Sequence, residues 1–181
     1  MDRIKLDYIS FATPLGWLLL AQSAGAIALV AFLGADRPSH DTALSAVLGV
    51  YPEALPSPAE DADFLESTSA HIRGYLKDRL PLPQIPLDLR KGSGFDRAVW
   101  SQIETIPFAK RRSYGQIAST IGKTGAARAV GGACGRNPVP ILIPCHRVVG
   151  ANGGLGGYSG GLDIKRALLD LENQAGPIAN C

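Results

Sequence analysis

Three consecutive residues, Cys145, His146 and Arg147, bring a thiol, an imidazole and a guanidinium into one short stretch. An apolar run from Val139 to Ile143 precedes them, and Pro144 has no N–H to donate, so the run should end in a rigid turn just before the thiol. The thiolate is the nucleophilic form of cysteine, and a neighbouring base or positive charge favours it. His146 can serve as that base, and Arg147 adds positive potential. The stretch therefore predicts a reactive, ionised Cys145 in a partly buried pocket.

Two other interpretations of Cys145 have to be weighed. Free cysteine is among the most buried residue types and commonly packs as a small hydrophobic residue, so the thiol could be an inert part of the core. A cysteine hydrolase is the other alternative, but the Cys-Gly-Ser-Cys-Trp-type signature of papain-like proteases is missing, and a cysteine directly followed by histidine is not their arrangement. The adjacent histidine and arginine favour a reactive thiol over an inert one, and turnover of an ester or peptide substrate would be needed to support a hydrolase.

Several further motifs flank this stretch at ordered separations. They are Ser113–Ala118 (SYGQIA), Ala126–Gly131 (AARAVG), Asn137-Pro138, Gly156–Leu162 (GGYSGGL), Lys165 and Leu171-Glu172. Together with Pro144–Val148 (PCHRV), these motifs resemble the O6-alkylguanine-DNA alkyltransferases, and the resemblance extends from Phe95 to Glu172. Several ordered motifs at matching separations form a more specific signal than one short pattern.

The resemblance implies direct-reversal DNA repair, in which Cys145 takes the alkyl group from O6-alkylguanine, or from O4-alkylthymine, in DNA. His146 would deprotonate Cys145 through a water, and Glu172 would orient the imidazole. Tyr114 would donate a proton toward the leaving guanine, and Asn137 would brace the turn that holds the thiol. A thioether is a poor leaving group, and no second thiol or reductant is positioned in the sequence to regenerate Cys145. One turnover per protein molecule is therefore expected.

A base inside a stacked duplex is out of reach of a protein thiol, so the damaged nucleotide must be rotated out of the helix. The resemblance implies that Arg128 would occupy the vacated space and that Tyr114 would crowd the flanking phosphate. The implied DNA contacts are Tyr114, Gly115, Lys123, Ala127, Arg128, Gly131 and Ala151. The implied alkylguanine pocket is lined by Pro140, Val148, Tyr158 and Ser159.

The residues that would meet DNA lie on a predicted helix-turn-helix. Ser113-x-x-Gln116 is a capping box that begins one helix, and Gly122 ends it. Thr124 is expected to cap a further helix over Gly125 to Gly135. That helix carries mostly small side chains and has no series of Asn, Gln or Arg for reading base edges. The expected partner is therefore double-stranded DNA bound with little sequence preference, and the resemblance implies the minor groove.

Charge divides the chain into two halves. Residues 1–89 hold 6 Lys and Arg against 11 Asp and Glu, a net charge of −5, whereas residues 90–181 hold 12 against 5, a net charge of +7. A basic second half indicates contact with a polyanion. The expected organisation is a structural α/β domain over 1–89 and a DNA-binding, alkyl-transferring domain over 90–181.

Residues 1–35 predict a meander of strands, with turns at Pro14-Leu15-Gly16 and Ser23-Ala24-Gly25. Asp41 is expected to cap a helix, and a second helix is expected over Ala59 to Leu80, after a proline-rich link. The resemblance implies a ribonuclease-H-like α/β layer here and a helical, winged-helix-like second domain. The expected fold class is thus α/β (α+β).

Helical spacing recurs in the second half. A helix is expected to start near Gly94 and to end before Pro107, and its periodicity places Trp100 in the core. A final amphipathic helix is expected over Leu162 to Asn173. Its inward-facing residues are predicted to be Leu162, Ala167, Leu168 and Leu171.

No metal or other cofactor is expected. His40 and His71 are the histidines of the first half, and two histidines without thiolates make a poor tetrahedral zinc site. The low cysteine content of this half resembles the bacterial members of the family.

A monomer in the bacterial cytoplasm is expected. Charged residues follow Met1, which does not fit a signal peptide, and three irregularly spaced cysteines fit a reducing compartment. Trp17 to Gly34 is long and apolar, but polar residues interrupt its middle, so strands fit it better than a membrane span.

A non-catalytic DNA-lesion sensor or regulator is the alternative function. Non-catalytic relatives of the family carry tryptophan at the cysteine position, so Cys145 argues for transfer. Gly157 beside Gly156 predicts a loose pocket that tolerates alkyl groups larger than methyl.

Overall fold

The computed structural model describes residues 3–60 and 62–174 of the chain. The chain forms two compact units, with the boundary between Leu89 and Arg90. The first unit combines a sheet with two helices, and the second is mostly helical. The expected α+β fold class is confirmed.

The first unit is built on an antiparallel meander, as its alternating apolar residues and glycine turns predict. The strands are β1 (Lys5–Thr13), β2 (Gly16–Ser23) and β3 (Ala26–Gly34). Strand β4 (Leu55–Pro58) adds to the other edge of β1 in parallel, which gives the sheet order β3-β2-β1-β4. Helices α1 (His40–Val50) and α2 (Asp63–Asp78) complete the unit. The apolar run from Trp17 to Gly34 is therefore sheet.

Two expectations for the helices of the first unit are wrong in detail. Helix α1 is capped by Ser39, whose Oγ accepts from the Thr42 N–H at 3.1 Å, and not by Asp41, which lies in the first helical turn. Helix α2 is shorter than the expected Ala59 to Leu80. It begins later, at Asp63, and it ends at Asp78 because Arg79 adopts a left-handed conformation at φ +58°.

The proline-rich link contains strand β4, which the sequence did not predict. An edge strand tolerates proline because the missing N–H leaves no ladder bond broken on the solvent side. Within the described ranges, no helix has the length and apolar character needed to cross a membrane.

The second unit begins with α3 (Gly94–Glu104) and ends with α6 (Leu162–Asn173). Between them lie α4 (Tyr114–Thr120), α5 (Ala127–Gly135) and a 3₁₀ turn over Cys145–Arg147. Two short strands, β5 (Arg112–Ser113) and β6 (Val148–Val149), pair in parallel. This pairing places the start of α4 beside the segment that follows Cys145.

The capping box at α4 is confirmed, since the Gln116 N–H donates to Ser113 Oγ at 3.1 Å and the Ser113 N–H donates to Gln116 Oε1 at 2.7 Å. Trp100 is buried as expected, and its indole N–H donates to the Ala133 carbonyl at 2.9 Å. The expected Thr124 cap is wrong: α5 starts later, after Ala126, and no side chain caps it. Gly125 at φ +86° cannot continue a right-handed helix, so α5 begins beyond it.

Helix α6 has the expected bounds but not quite the expected inward face. Leu162 is 46 % exposed, whereas Lys165 and Glu172 are almost fully buried beside Leu168 and Leu169. A buried lysine and a buried glutamate on one apolar stripe are unusual. Both residues make hydrogen bonds in the candidate active site.

Candidate active site

Cys145 opens the 3₁₀ turn and is only 2 % exposed, which is more buried than the sequence indicated. Its backbone N–H donates to the Ile143 carbonyl at 2.7 Å, so the chain turns tightly around Pro144. The Sγ atom accepts from the side-chain amide of Asn137 at 3.2 Å. The thiol is therefore held in one orientation by the preceding segment.

Asn137 links both ends of the segment that leads to the thiol. Its Nδ2 donates to the Ile143 carbonyl at 2.9 Å as well as to Cys145, and its Oδ1 accepts from the Val139 N–H at 3.0 Å. Within the segment, Ile141 has φ +75°, a strained value for a β-branched residue. One buried amide thus stabilises a backbone that would otherwise relax.

His146 and Glu172 form a buried pair, although 26 positions separate them. His146 Nε2 lies 3.0 Å from Glu172 Oε1, and the two side chains are 0 % and 1 % exposed. Because Glu172 also accepts from a guanidinium and a backbone N–H, its carboxyl oxygens act as acceptors here, and Oε1 takes the hydrogen on Nε2. The lone pair of the neutral ring then lies on Nδ1.

Burial sets the protonation states of the two reactive groups. It raises the pKa of the Cys145 thiol to about 11, against smaller lowering effects from Asn137 and Lys165. Burial also lowers the pKa of His146, and the hydrogen bond and charge of Glu172 act in the opposite direction and raise it. At neutral pH the site therefore holds a thiol beside a neutral imidazole. The expectation of an ionised thiol in the free protein is wrong, because desolvation outweighs the nearby positive charge.

Arg147 does not have the role that the sequence suggested for it. Its guanidinium binds Glu172, with Nη2 at 2.8 Å from Oε1, and donates from Nη1 to the Ile106 carbonyl at 2.7 Å. The cation that lowers the pKa of the Cys145 thiol is Lys165. Arg147 therefore acts on the glutamate and not on the sulfur.

Lys165 belongs to the site, and the sequence reasoning missed its role. Its ammonium group donates to the carbonyls of Val148 at 2.7 Å and Gly157 at 3.4 Å, and also to that of Leu155. It lies 3.5 Å from the Tyr114 hydroxyl oxygen. The available signal was the spacing of Lys165 and Glu172, seven positions apart on the apolar stripe of α6.

Tyr114 is the first residue of α4 and packs against two glycines. A Cβ at Gly131 would lie 3.8 Å from its ring, and a Cβ at Gly156 would lie 2.5 Å from its hydroxyl oxygen. Burial raises the pKa of the Tyr114 phenol to about 12, so the hydroxyl keeps its proton at neutral pH. Tyr114 is thus a protonated donor between α5 and the glycine-rich loop 150–157.

The remaining residues expected from the sequence fall into two groups. Pro140 and Val148 are buried, and Tyr158 is half-buried. Ser159, also expected in the pocket, is exposed. Of the expected DNA contacts, Gly115, Lys123, Arg128 and Ala151 are exposed, and Ala127 and Gly131 are half-buried.

A second thiol, Cys134 of α5, is also buried in this unit. Burial first, and then the charge of Cys145, raise the pKa of its thiol to about 12. Cys134 is therefore a poor nucleophile at neutral pH. Among the described residues, no three His, Cys, Asp or Glu side chains are grouped closely enough to hold a metal ion.

Comparison with known proteins places these features in a family context. Residues 94–174 match the family model described as the DNA-binding domain of 6-O-methylguanine DNA methyltransferase. A methylated-DNA–protein-cysteine methyltransferase of Mycolicibacterium paratuberculosis is 50 % identical over 121 residues, which are 67 % of this chain and 70 % of the relative. The enzyme of the same name from Methanosarcina acetivorans is 37 % identical over 165 residues, 91 % of this chain and 97 % of the relative.

Solved structures agree with the sequence comparison. The crystal structure of Mycobacterium tuberculosis OGT in complex with DNA has a TM-score of 0.75 and 38 % sequence identity to this chain. The match covers 95 % of this chain and 96 % of that one. An O6-methylguanine methyltransferase structure from the same organism has a TM-score of 0.76 and 38 % identity, over 96 % of each chain. The resemblance seen in the sequence motifs is therefore confirmed.

Proposed function

Because the chain belongs to the family of the methylated-DNA–protein-cysteine methyltransferases, we propose that Cys145 accepts the alkyl group of O6-alkylguanine in DNA. The function is direct-reversal DNA repair, and the partner is DNA. The observation that carries the assignment of Cys145 is its geometry: the thiol is held at 3.2 Å by Asn137 and is followed directly by His146, which is paired with buried Glu172. A sensor without transfer chemistry would not need this arrangement.

The reaction is a displacement at carbon. The sulfur of Cys145 forms a bond to the alkyl carbon as the bond from that carbon to guanine O6 breaks. The thiol proton moves through a water to Nδ1 of His146, and Glu172 stabilises the resulting imidazolium. The Tyr114 hydroxyl donates a proton toward the leaving guanine, and the imidazolium proton returns to the phenolate through solvent. The net products are S-alkylcysteine and guanine.

The protonation states of the thiol and the imidazole support this order of events. A neutral thiol beside a neutral imidazole places no charge on the sulfur before the substrate arrives, which avoids the desolvation cost of a resting thiolate. The charge is created only while the sulfur attacks, and Asn137 and the ammonium group of Lys165 then favour it. The protonated Tyr114 supplies the matching acid.

The proposed DNA face consists of α5, with Tyr114, Gly115, Lys123 and Ala151 beside it. Small residues on α5 allow close approach to a groove, and Arg128 is an exposed long side chain in that helix that could enter the stack. Helix α5 has few groups that could read base edges, which supports sequence-tolerant binding in the minor groove. The rotated guanine would lie against Tyr158, with Pro140, Val148 and Ser159 around it.

We also propose that the protein works as a monomer and turns over once. A thioether on Cys145 is a poor leaving group, and the second thiol, Cys134, is not ionised at neutral pH. The alkyl group therefore stays on the protein.

Mass spectrometry of the intact protein tests this proposal. After mixing with an oligonucleotide duplex that contains O6-methylguanine, the protein should gain the mass of one methyl group, and peptide mapping should place it on Cys145. The Cys145→Ser variant should bind the duplex without gaining mass. Binding by the native protein with no mass gain would favour a lesion sensor instead.

A further inference from the structure

The carboxylate of Glu172 is held by more than His146. Its Oε1 atom accepts from Nε of Arg147 at 2.9 Å and from Nη2 at 2.8 Å, and its Oε2 atom accepts from Nε at 3.2 Å. The backbone N–H of Ala109 donates to Oε2 at 3.0 Å. A planar guanidinium that meets a carboxylate at two points fixes the plane of that carboxylate.

The other side of the guanidinium is anchored on the loop between α3 and β5. Nη1 of Arg147 donates to the carbonyl of Ile106 at 2.7 Å, and Cζ lies 5.8 Å from the ring centre of Phe108. The Arg147 side chain is only 11 % exposed. Arg147 thus joins the turn after Cys145, the end of α6 and the loop that carries Ala109.

We propose that Arg147 is a positioning residue for alkyl transfer, which acts on His146 through Glu172. Its guanidinium is the counter-ion of the buried carboxylate and holds it in the orientation in which it accepts from Nε2 of a neutral imidazole. The inference rests on the proposed roles of Cys145 and His146, and it adds a residue to which the sequence had assigned a different role.

The charges around His146 explain why a counter-ion matters. The charged groups that act on it are Glu172 and Lys165 of α6 and Arg147 of the turn, and Cys145 precedes it in the chain. Burial, Arg147 and Lys165 lower the pKa of the imidazole, whereas Glu172 raises it. If Arg147 is removed, the unbalanced carboxylate favours the protonated ring. A protonated His146 cannot accept the thiol proton, so transfer should fail at a pH where the native protein still works.

The experiment compares Arg147→Lys, Arg147→Met and the double variant Arg147→Met/Glu172→Gln. The readouts are the NMR titration of the His146 ring and the pH dependence of the single-turnover transfer rate. In Arg147→Met, which removes only the counter-ion, the midpoint of the His146 titration and the midpoint of the pH–rate profile should both move to higher pH by at least about one unit. Lysine keeps the charge but not the two-point geometry, so its shift should be smaller. The double variant should reverse the shift because both charges are gone.

Arg166→Met is the matched control. Arg166 also pairs with a carboxylate on α6, Asp163, at 2.9 Å, but both side chains are largely exposed. This variant should titrate like the native protein, since exposed pairs contribute little.

An unchanged His146 titration in folded Arg147→Met would overturn the inference. If Arg147→Met does not fold, Arg147→Lys is tested instead. The inference would then be overturned if Arg147→Lys had the same His146 titration and the same transfer rate as the native protein. Failure of the proposed function looks different: the native protein would then gain no alkyl group at any pH, while the NMR titration of its histidine could still be measured.

Discussion

The side-chain amide of Asn137 donates to Sγ of Cys145 across 3.2 Å and to the carbonyl of Ile143 across 2.9 Å. One amide therefore orients the sulfur and closes the turn that carries it. The same side chain accepts from the Val139 N–H, so both of its ends are bound. The site is a short rigid segment whose reactive atom cannot move without breaking these bonds.

Replacing Asn137 by Ala should reduce both stability and transfer. The buried Val139 N–H loses its acceptor, and the Ile143 carbonyl and the thiol each lose a donor. A buried group left unsatisfied costs about 1–3 kcal/mol. Chemical denaturation and single-turnover kinetics are the measurements. Asn137→Asp gives the contrast, because its carboxylate can accept from Val139 but cannot donate to sulfur. Native transfer in either variant would contradict the role of the amide.

The Cys145 thiol should titrate near pH 11 in the free protein. Burial raises its pKa to about 11 from the usual 9.0, so the sulfur stays protonated up to that pH. The difference in thiolate ultraviolet absorbance between native protein and Cys145→Ser should therefore show a midpoint well above pH 9. A midpoint below 9 would show that positive charge, and not burial, controls the sulfur.

Replacing Lys165 by Met should slow transfer. The ammonium group donates to the carbonyls of Val148, Leu155 and Gly157, and without it these carbonyls lose a donor. The thiol also loses the cation that lowers its pKa, so the midpoint of the Cys145 titration should rise further. Lys91→Met, at an exposed lysine, is the control. An unaltered thiol midpoint in Lys165→Met would contradict the electrostatic part of this prediction.

Alanine should be tolerated far less well at Gly156 than at Gly157. Gly156 has φ +65°, and a Cβ there would lie 2.5 Å from the Tyr114 hydroxyl oxygen, whereas a Cβ at Gly157 would meet nothing within 4 Å. Transfer from duplexes that contain O6-methylguanine or O6-benzylguanine measures both effects. Gly157→Asn should lower benzyl transfer more than methyl transfer if the open loop admits larger groups. Equal losses for both substrates would count against that hypothesis.

Arg128→Ala should weaken repair of duplex DNA but spare reaction with a free alkylated base. Arg128 is exposed on α5, where it can replace the rotated nucleotide in the stack, and a free base needs no rotation. Single-turnover rates with an O6-benzylguanine duplex and with free O6-benzylguanine separate the two steps. If both rates fall equally, Arg128 acts on the chemistry and not on base rotation.

Much of this molecule could be predicted from local sequence. The capping box at Ser113, the buried face around Trp100 and the bounds of α6 depend on residues within a few positions of one another. The three-stranded meander follows from alternation and tight turns. Strand β4 could not be predicted, because a short proline-containing strand forms only where the edge of an existing sheet can pair with it. The start of α2 was also not predicted, since the helix begins at Asp63 and not at the expected Ala59.

The sequence by itself determined that a cysteine, a histidine and a small-residue helix occur in a family-typical order. Only the tertiary structure decided which side chains in the site are charged and which groups they bind. Arg147 faces Glu172, Lys165 lies under the glycine loop, and the thiol is neutral. The physical reason is that these partners lie 8 to 63 positions apart, so the packing of α6 against the turn and the glycine loop sets both their contacts and their desolvation.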